Sequence, residues 1–166
     1  MREILMSIKA KHNRNIESGL KTSELRKRPP KCKYPIKVYT YESGFDGRRK
    51  VVNEWICRNA TEWRICMGVP AHLAKRACLS VGEIIEYSGK NYDNITEMEI
   101  SDLKIYDKPR EITEFALYGK CAEDCDEYDI CARDSEEGRM SCKFFKRTFL
   151  KRPPQSWCYV EEEECQ

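Results

Sequence analysis

The chain has 166 residues, 40% hydrophobic and 35% charged, a size and composition that suit one globular domain and exclude a disordered chain. No apolar run approaches the ~20 residues that a membrane-spanning helix needs. Glu3 and Lys9 interrupt any signal-peptide core, so a cytoplasmic protein is expected. Net charge is only +2, but it is unevenly spread. Residues 1–50 carry 14 Lys+Arg against 5 Asp+Glu, residues 51–120 carry 9 against 11, and residues 121–166 carry 7 against 12. A basic first third attracts phosphates and an acidic tail repels them, although both also suit a solvated surface.

In chain order, Glu3–Ile8 alternates weakly and predicts an opening strand. Lys9–Ser18 is helix-compatible, and Gly19 suits the left-handed residue that ends a helix. Thr22–Arg26 reads as a short strand stopped by Pro29-Pro30. The β-branched and aromatic run Ile36–Tyr41, the turn 43–47 and Lys50–Cys57 predict a hairpin. Pro70–Cys78 is helical in pattern, and Ser80-x-x-Glu83 is a capping box that opens a short helix through Tyr87. Met98–Tyr106 returns to a strand that Pro109 is expected to break, and Ile112–Tyr118 fits either state. Residues 119–142 are acidic, cysteine-rich and poor in aliphatic side chains. After Pro153-Pro154, Ser156–Val160 predicts a closing strand. Many strands and few short helices indicate an α+β barrel.

The chemistry concentrates in Gly19-Leu-Lys-Thr-Ser-Glu-Leu-Arg26. Strand parity turns Leu25 and Ser23 to the core and Thr22, Glu24 and Arg26 to the other face, with Lys21 at the turn just ahead. Arg26 and Lys21 suit a phosphate, and the Glu24 carboxylate suits base amino groups or proton transfer. Exposed surface ion pairs are the plain alternative. Lys9, at the end of the first strand, is placed to reach the same region. Tyr39 and Tyr41 share a strand face and suit either base stacking or core packing. Trp157 reads as core or rim. His12 and His72 have no partner in sequence and are read as structural or surface residues.

The pattern Gly19-x-Lys21-Thr22-x-Glu24-x-Arg26 resembles the signature of the ASCH domain, a branch of the PUA-like superfamily. The opening strand with Ser7-Ile8-Lys9, the 38–57 hairpin, Ile100–Phe115 and Arg152–Glu162 are similar to ASCH proteins of phage and Gram-positive bacteria. The resemblance covers most of the chain apart from the cysteine-rich stretch. It implies a small PUA-like β-barrel over residues 1–166, with short flanking helices and a cleft suited to RNA, a modified nucleoside or a nucleotide; the cysteine-rich stretch, 119–143, is then an insertion within that domain. Some ASCH proteins are amidohydrolases that deacetylate N4-acetylcytidine with the motif lysine, a threonine three residues later and a distant glutamate. Lys21 matches the lysine, but Glu24 stands at the threonine position, which counts against that activity. Others are ribonucleases, for which Lys21 and Glu24 would be the catalytic pair.

Ten cysteines are many for a cytoplasmic chain. Cys32, Cys57, Cys66 and Cys78 are scattered and read as packing thiols. Cys121, Cys125, Cys131 and Cys142 fall within 22 residues of polar chain and fit a structural Zn²⁺ site, with reduced free thiols as the alternative. Three functional readings follow. The favoured one is RNA, modified-nucleoside or nucleotide binding through Lys9, Lys21, Thr22, Glu24, Arg26, Tyr39 and Tyr41. The second is a hydrolase using the same cleft. The third is a phage-encoded interaction protein that contacts a host complex through the 119–143 insertion.

Overall fold

The computed structural model describes residues 1–117 and 148–162. The four late cysteines, Cys121, Cys125, Cys131 and Cys142, the insertion that carries them, and any zinc they hold lie outside the described residues.

The first strand, β1 (Arg2–Lys9), runs through the middle of the larger sheet. It pairs in parallel with β3 (Ile36–Ser43) and antiparallel with β10 (Trp157–Glu162). A parallel pair needs a crossover, supplied here by α1 (Ala10–Glu17) and β2 (Ser23–Arg26). Central placement buries β1 on both faces, which explains its weak alternation. Ile4, Met6 and Ile8 join one cluster with Ile16, Val38, Trp55 and Met98, whereas Leu5 joins another with Tyr39, Val51, Phe115 and Val160. The expected hairpin is present, β3 pairing antiparallel with β4 (Val51–Cys57). The capping box is also present: Glu83 N–H donates to Ser80 Oγ at 3.1 Å and Ser80 N–H donates to Glu83 Oε2 at 2.8 Å.

Two strand boundaries depart from expectation. Met98–Tyr106 is not one strand but parts of two, β6 (Ile95–Glu99) and β7 (Ser101–Arg110), with Asp102 at φ +49° just after the break. β6 joins β2 and a further strand, β5 (Ala60–Trp63), whereas β7 joins β4. Pro109 does not end β7, because β7 is an edge strand and an edge tolerates a missing N–H donor.

The strands form two sheets. The larger has the order β7-β4-β3-β1-β10-β8-β9, where β8 is Phe115–Leu117 and β9 is Thr148–Phe149. The smaller has the order β2-β6-β5. The α+β class is as expected, but no closed barrel forms among the described residues. Instead the two sheets share a core, with Met98 of β6 packed against β1, β3 and β4. Two short helices, α2 (Ala71–Ala77) and α3 (Val81–Ser88), cover the smaller sheet, packing Leu73 and Ile84 against Leu25 and Ile95. No helix among the described residues is long and apolar enough to cross a membrane.

Trp55 is fully buried and its Nε1–H donates to Thr40 Oγ1 at 3.1 Å. Trp55→Ala is expected to cost about 3–5 kcal/mol of stability, mostly through the cavity it leaves. Trp55→Phe, which keeps an aromatic ring and leaves a smaller void but loses the donor, is expected to cost less, about 1–3 kcal/mol. Urea titrations of both variants check the order, and equal losses would count against it.

Candidate functional site

β2 lies between the two layers, so each of its faces is covered. Leu25 packs under α2 and α3, and Ser23, also buried, shares that parity. Glu24 and Arg26 point the other way, toward a cleft of about 290 Å³. The cleft is closed by Ser7, Ile8 and Lys9 at the end of β1, His12 on α1, Ser43 at the end of β3, Leu79 and Tyr87 around α3, and Gln155 ahead of β10.

At its floor is a buried group of three charges. Glu24 Oε2 lies 3.2 Å from Lys21 Nζ, and Glu24 Oε1 lies 2.9 Å from Arg26 Nη2. Lys21 and Glu24 are 3% and 8% exposed, so these are interior ion pairs rather than a solvated surface. Each cation is anchored a second time. Lys21 Nζ donates to the carbonyl of Ala77 at 2.9 Å, where the end of α2 presents partial negative charge. Arg26 donates from Nη2 to the carbonyl of Ser7 at 3.0 Å and from Nη1 to Ser156 Oγ at 3.2 Å.

Two polar atoms around the cleft have no protein partner although both are buried, Arg26 Nε and His12 Nδ1. Lys9 is exposed at the mouth and Tyr87 is 41% exposed. A second hollow, bounded by Lys9, Lys11, His12, Leu79, Glu83, Glu86 and Tyr87, continues the cleft along α3.

No protein-family profile matches the sequence, and no curated protein matches it significantly. Its fold does match crystal structures of ASCH from Zymomonas mobilis. The ASCH structure and a serine-to-alanine variant each superpose at a TM-score of 0.63 and 16% identity, covering 96% of this chain and 87% and 88% of theirs. A tyrosine-to-phenylalanine variant of the same protein superposes at 0.59, again at 16% identity, covering 97% and 91%. The chain has the ASCH fold.

Within this ASCH fold, the structure brings Lys9, Lys21, Glu24 and Arg26 to one cleft. Thr22 is not part of it. Thr22 precedes β2 rather than belonging to it, so strand parity does not govern its side chain, which lines a different cavity together with Ser23. Tyr39 and Tyr41 are also elsewhere. Both are buried in the core cluster of Phe115, where the Tyr39 and Phe115 rings lie 4.9 Å apart. A strand covered on both faces buries its aromatics whichever way they point. Trp157 packs at the edge of the core and its Nε1–H donates to the Arg28 carbonyl at 2.6 Å, tying down the basic β2–β3 loop.

Among the wall residues that sequence reasoning missed, His12 and Tyr87 are the two ring side chains. A faint signal existed for His12, because it follows Lys9 by three residues and so sits above it on the first helical turn. Among the early cysteines, Cys57 is fully buried and burial pushes its thiol up to about 12, as a packing thiol requires. Cys66 is exposed and does not pack. No cluster of metal-ligating side chains occurs among the described residues.

The electrostatics assign a protonation state to each wall. Burial pushes the Glu24 carboxyl up, but Lys21 and Arg26 outweigh it and hold the group below its ordinary 4.5. Burial, reinforced by the nearby Lys21 ammonium, holds His12 below its ordinary 6.5. At neutral pH the cleft therefore presents an ionised, doubly paired Glu24 and a neutral imidazole.

Both shifts depress the folded value. The stability linked to His12 is complete above pH 6.5 and is lost as pH falls through its lower folded value. The stability linked to Glu24 is complete above pH 4.5 and is lost in the same way further down. Urea midpoints are expected to drop on acidification in these two windows. His12→Asn should flatten the upper window and leave the lower one intact, and an unchanged upper window would show that His12 is not so placed.

Proposed function

We propose that the cleft binds a nucleobase of RNA, or a free nucleoside or nucleotide, with the sugar-phosphate portion directed outward past Lys9. The observation that carries this reading is the pair of buried, unpartnered polar atoms, Arg26 Nε and His12 Nδ1, beside a hollow already floored by Glu24. A buried donor or acceptor left unpaired is costly, so a ligand that offers complementary edge groups gains affinity there. A flat heterocycle with ring nitrogens and a carbonyl or amino group has such an edge.

The cavity is near the lower end of the ~300–1,000 Å³ typical of small-molecule sites, a fit for one base rather than a large ligand. Tyr87 and Leu79 supply apolar wall, and a tyrosine ring is a stacking surface for any base. Glu24 offsets one of the two positive charges of Lys21 and Arg26, so the floor keeps a net +1, and exposed Lys9 adds a further charge at the mouth to attract phosphate. The ASCH fold is consistent with this reading.

A hydrolytic reading has one specific observation in its favour. Neutral His12 is a competent proton acceptor near pH 7, whereas doubly paired Glu24 is a poor one. Hydrolysis in this cleft would therefore run through His12 rather than through Lys21 and Glu24.

The test uses fluorescence anisotropy with short single-stranded RNA and calorimetry with nucleosides and nucleotides. Tyr87→Ala is expected to weaken binding about tenfold (~1.4 kcal/mol) for RNA and nucleosides alike. Lys9→Ala should weaken RNA and nucleotides but spare nucleosides, and should reduce the slope of log affinity against log salt by about 0.7. Wild-type affinity in both variants would overturn the reading. In the same reactions, RNA cleavage abolished by His12→Asn with affinity retained would establish the hydrolytic alternative.

A further inference from the structure

On the α2 side of the smaller sheet, across β2 from the cleft, lies a second cavity of about 350 Å³. The register explains its polarity. Ser23 pairs with Glu99, and Glu97 pairs with Leu25 on one side and Thr61 on the other. Directly opposed residues share a face, so Ser23, Thr61, Glu97 and Glu99 all point the same way. Beyond Leu25 and Ile95 the helices no longer cover that face, and Arg76 of α2 reaches over it.

Two buried atoms of the lining residues lack partners. Ser23, 1% exposed, has no partner for Oγ, and Glu97, 4% exposed, has none for Oε1. The other Glu97 oxygen is fully used, accepting from Trp63 Nε1 at 3.0 Å and Arg76 Nη2 at 2.8 Å. Arg76 thus offsets Glu97, and exposed Glu99 leaves the cavity with a net negative charge. An anion is disfavoured by the two carboxylates. A neutral acceptor gains nothing from the bare Glu97 oxygen.

We propose that this cavity binds a primary alkylammonium group. An –NH3⁺ has three donors and no acceptor, matching Glu97 Oε1, Ser23 Oγ and the Glu99 carboxylate, and Ile100 provides apolar wall for the alkyl stem. A free polyamine and a lysine side chain share this chemistry. The site is independent of the reading given to the cleft, because the two open on opposite faces of β2.

The test is a ¹H–¹⁵N NMR titration of the full chain with butylammonium, spermidine, Nα-acetyl-lysine amide and tetramethylammonium. Saturable shifts confined to the Ser23, Glu97, Glu99 and Ile100 amides are expected with the primary amines and not with tetramethylammonium, which carries charge but no N–H. Tighter spermidine binding would identify a polyamine site, and tighter acetyl-lysine amide binding a peptide side-chain site. Glu99→Gln, an exposed change that leaves the fold intact, should weaken binding at least tenfold, whereas Lys9→Ala in the cleft should leave it unchanged. No saturation, an equal response to tetramethylammonium, or wild-type affinity in a folded Glu99→Gln protein would overturn the proposal and leave an internal water as the occupant.

Discussion

The joint of this molecule is the Glu24 carboxylate held between two cations. Glu24 belongs to the smaller sheet, Lys21 reaches from it to the last turn of α2, and Arg26 reaches from it to the backbone of β1 and to Ser156 before β10. One carboxylate thereby connects both sheets and a helix. Ion pairs with these burials bring little net stability, since the desolvation of three charges offsets most of their attraction. Their value is positional. Loss of Glu24 would strand two cations in the interior, and loss of either cation would free the carboxylate to shift toward the other, so the arrangement favours one sheet-to-sheet geometry, and the cleft is the space that this geometry leaves.

The charge of the cleft floor is only partly cancelled, since one carboxylate faces both a lysine and an arginine. Glu24 offsets one of the two cations, and the groups that line the hollow are directional: the Arg26 guanidinium, a neutral His12 imidazole and the Glu24 carboxylate. The exposed Lys9 stands at the mouth, where its charge is screened by solvent.

A second polar network steadies the opposite wall. Asn13 on α1 donates to Glu42 at 2.7 Å, Asn53 donates to Asn13 Oδ1 at 2.8 Å, and Arg48 bridges Glu42 and Glu17. These contacts lock α1 to the β3–β4 hairpin and so fix the helix that carries His12. Two interior networks, one on each side of β1, hold the parts of the cleft that come from distant stretches of chain.

Local chemistry made much of this legible from the residues alone. The β3–β4 hairpin, the Ser80–Glu83 capping box, the left-handed Gly19 at φ +75°, and the alternation that sets Glu24 and Arg26 against Leu25 all depend on neighbours a few positions away. The motif lysine, glutamate and arginine could be expected to converge because a four-residue strand and its preceding turn suffice to bring them together. Partner choice between layers was decided only by the tertiary structure. Whether Tyr39 faces a ligand or Phe115, whether Pro109 sits on an inner or an edge strand, whether the sheet closes into a barrel, and whether His12 overlooks solvent or a cleft all depend on what packs across from them. Side-chain period 2 tells which residues share a face, but carries no information about what covers that face, and here the charges on and beside β2 are met by Ala77, 56 residues from Lys21, and by Ser7 and Ser156, 19 and 130 residues from Arg26.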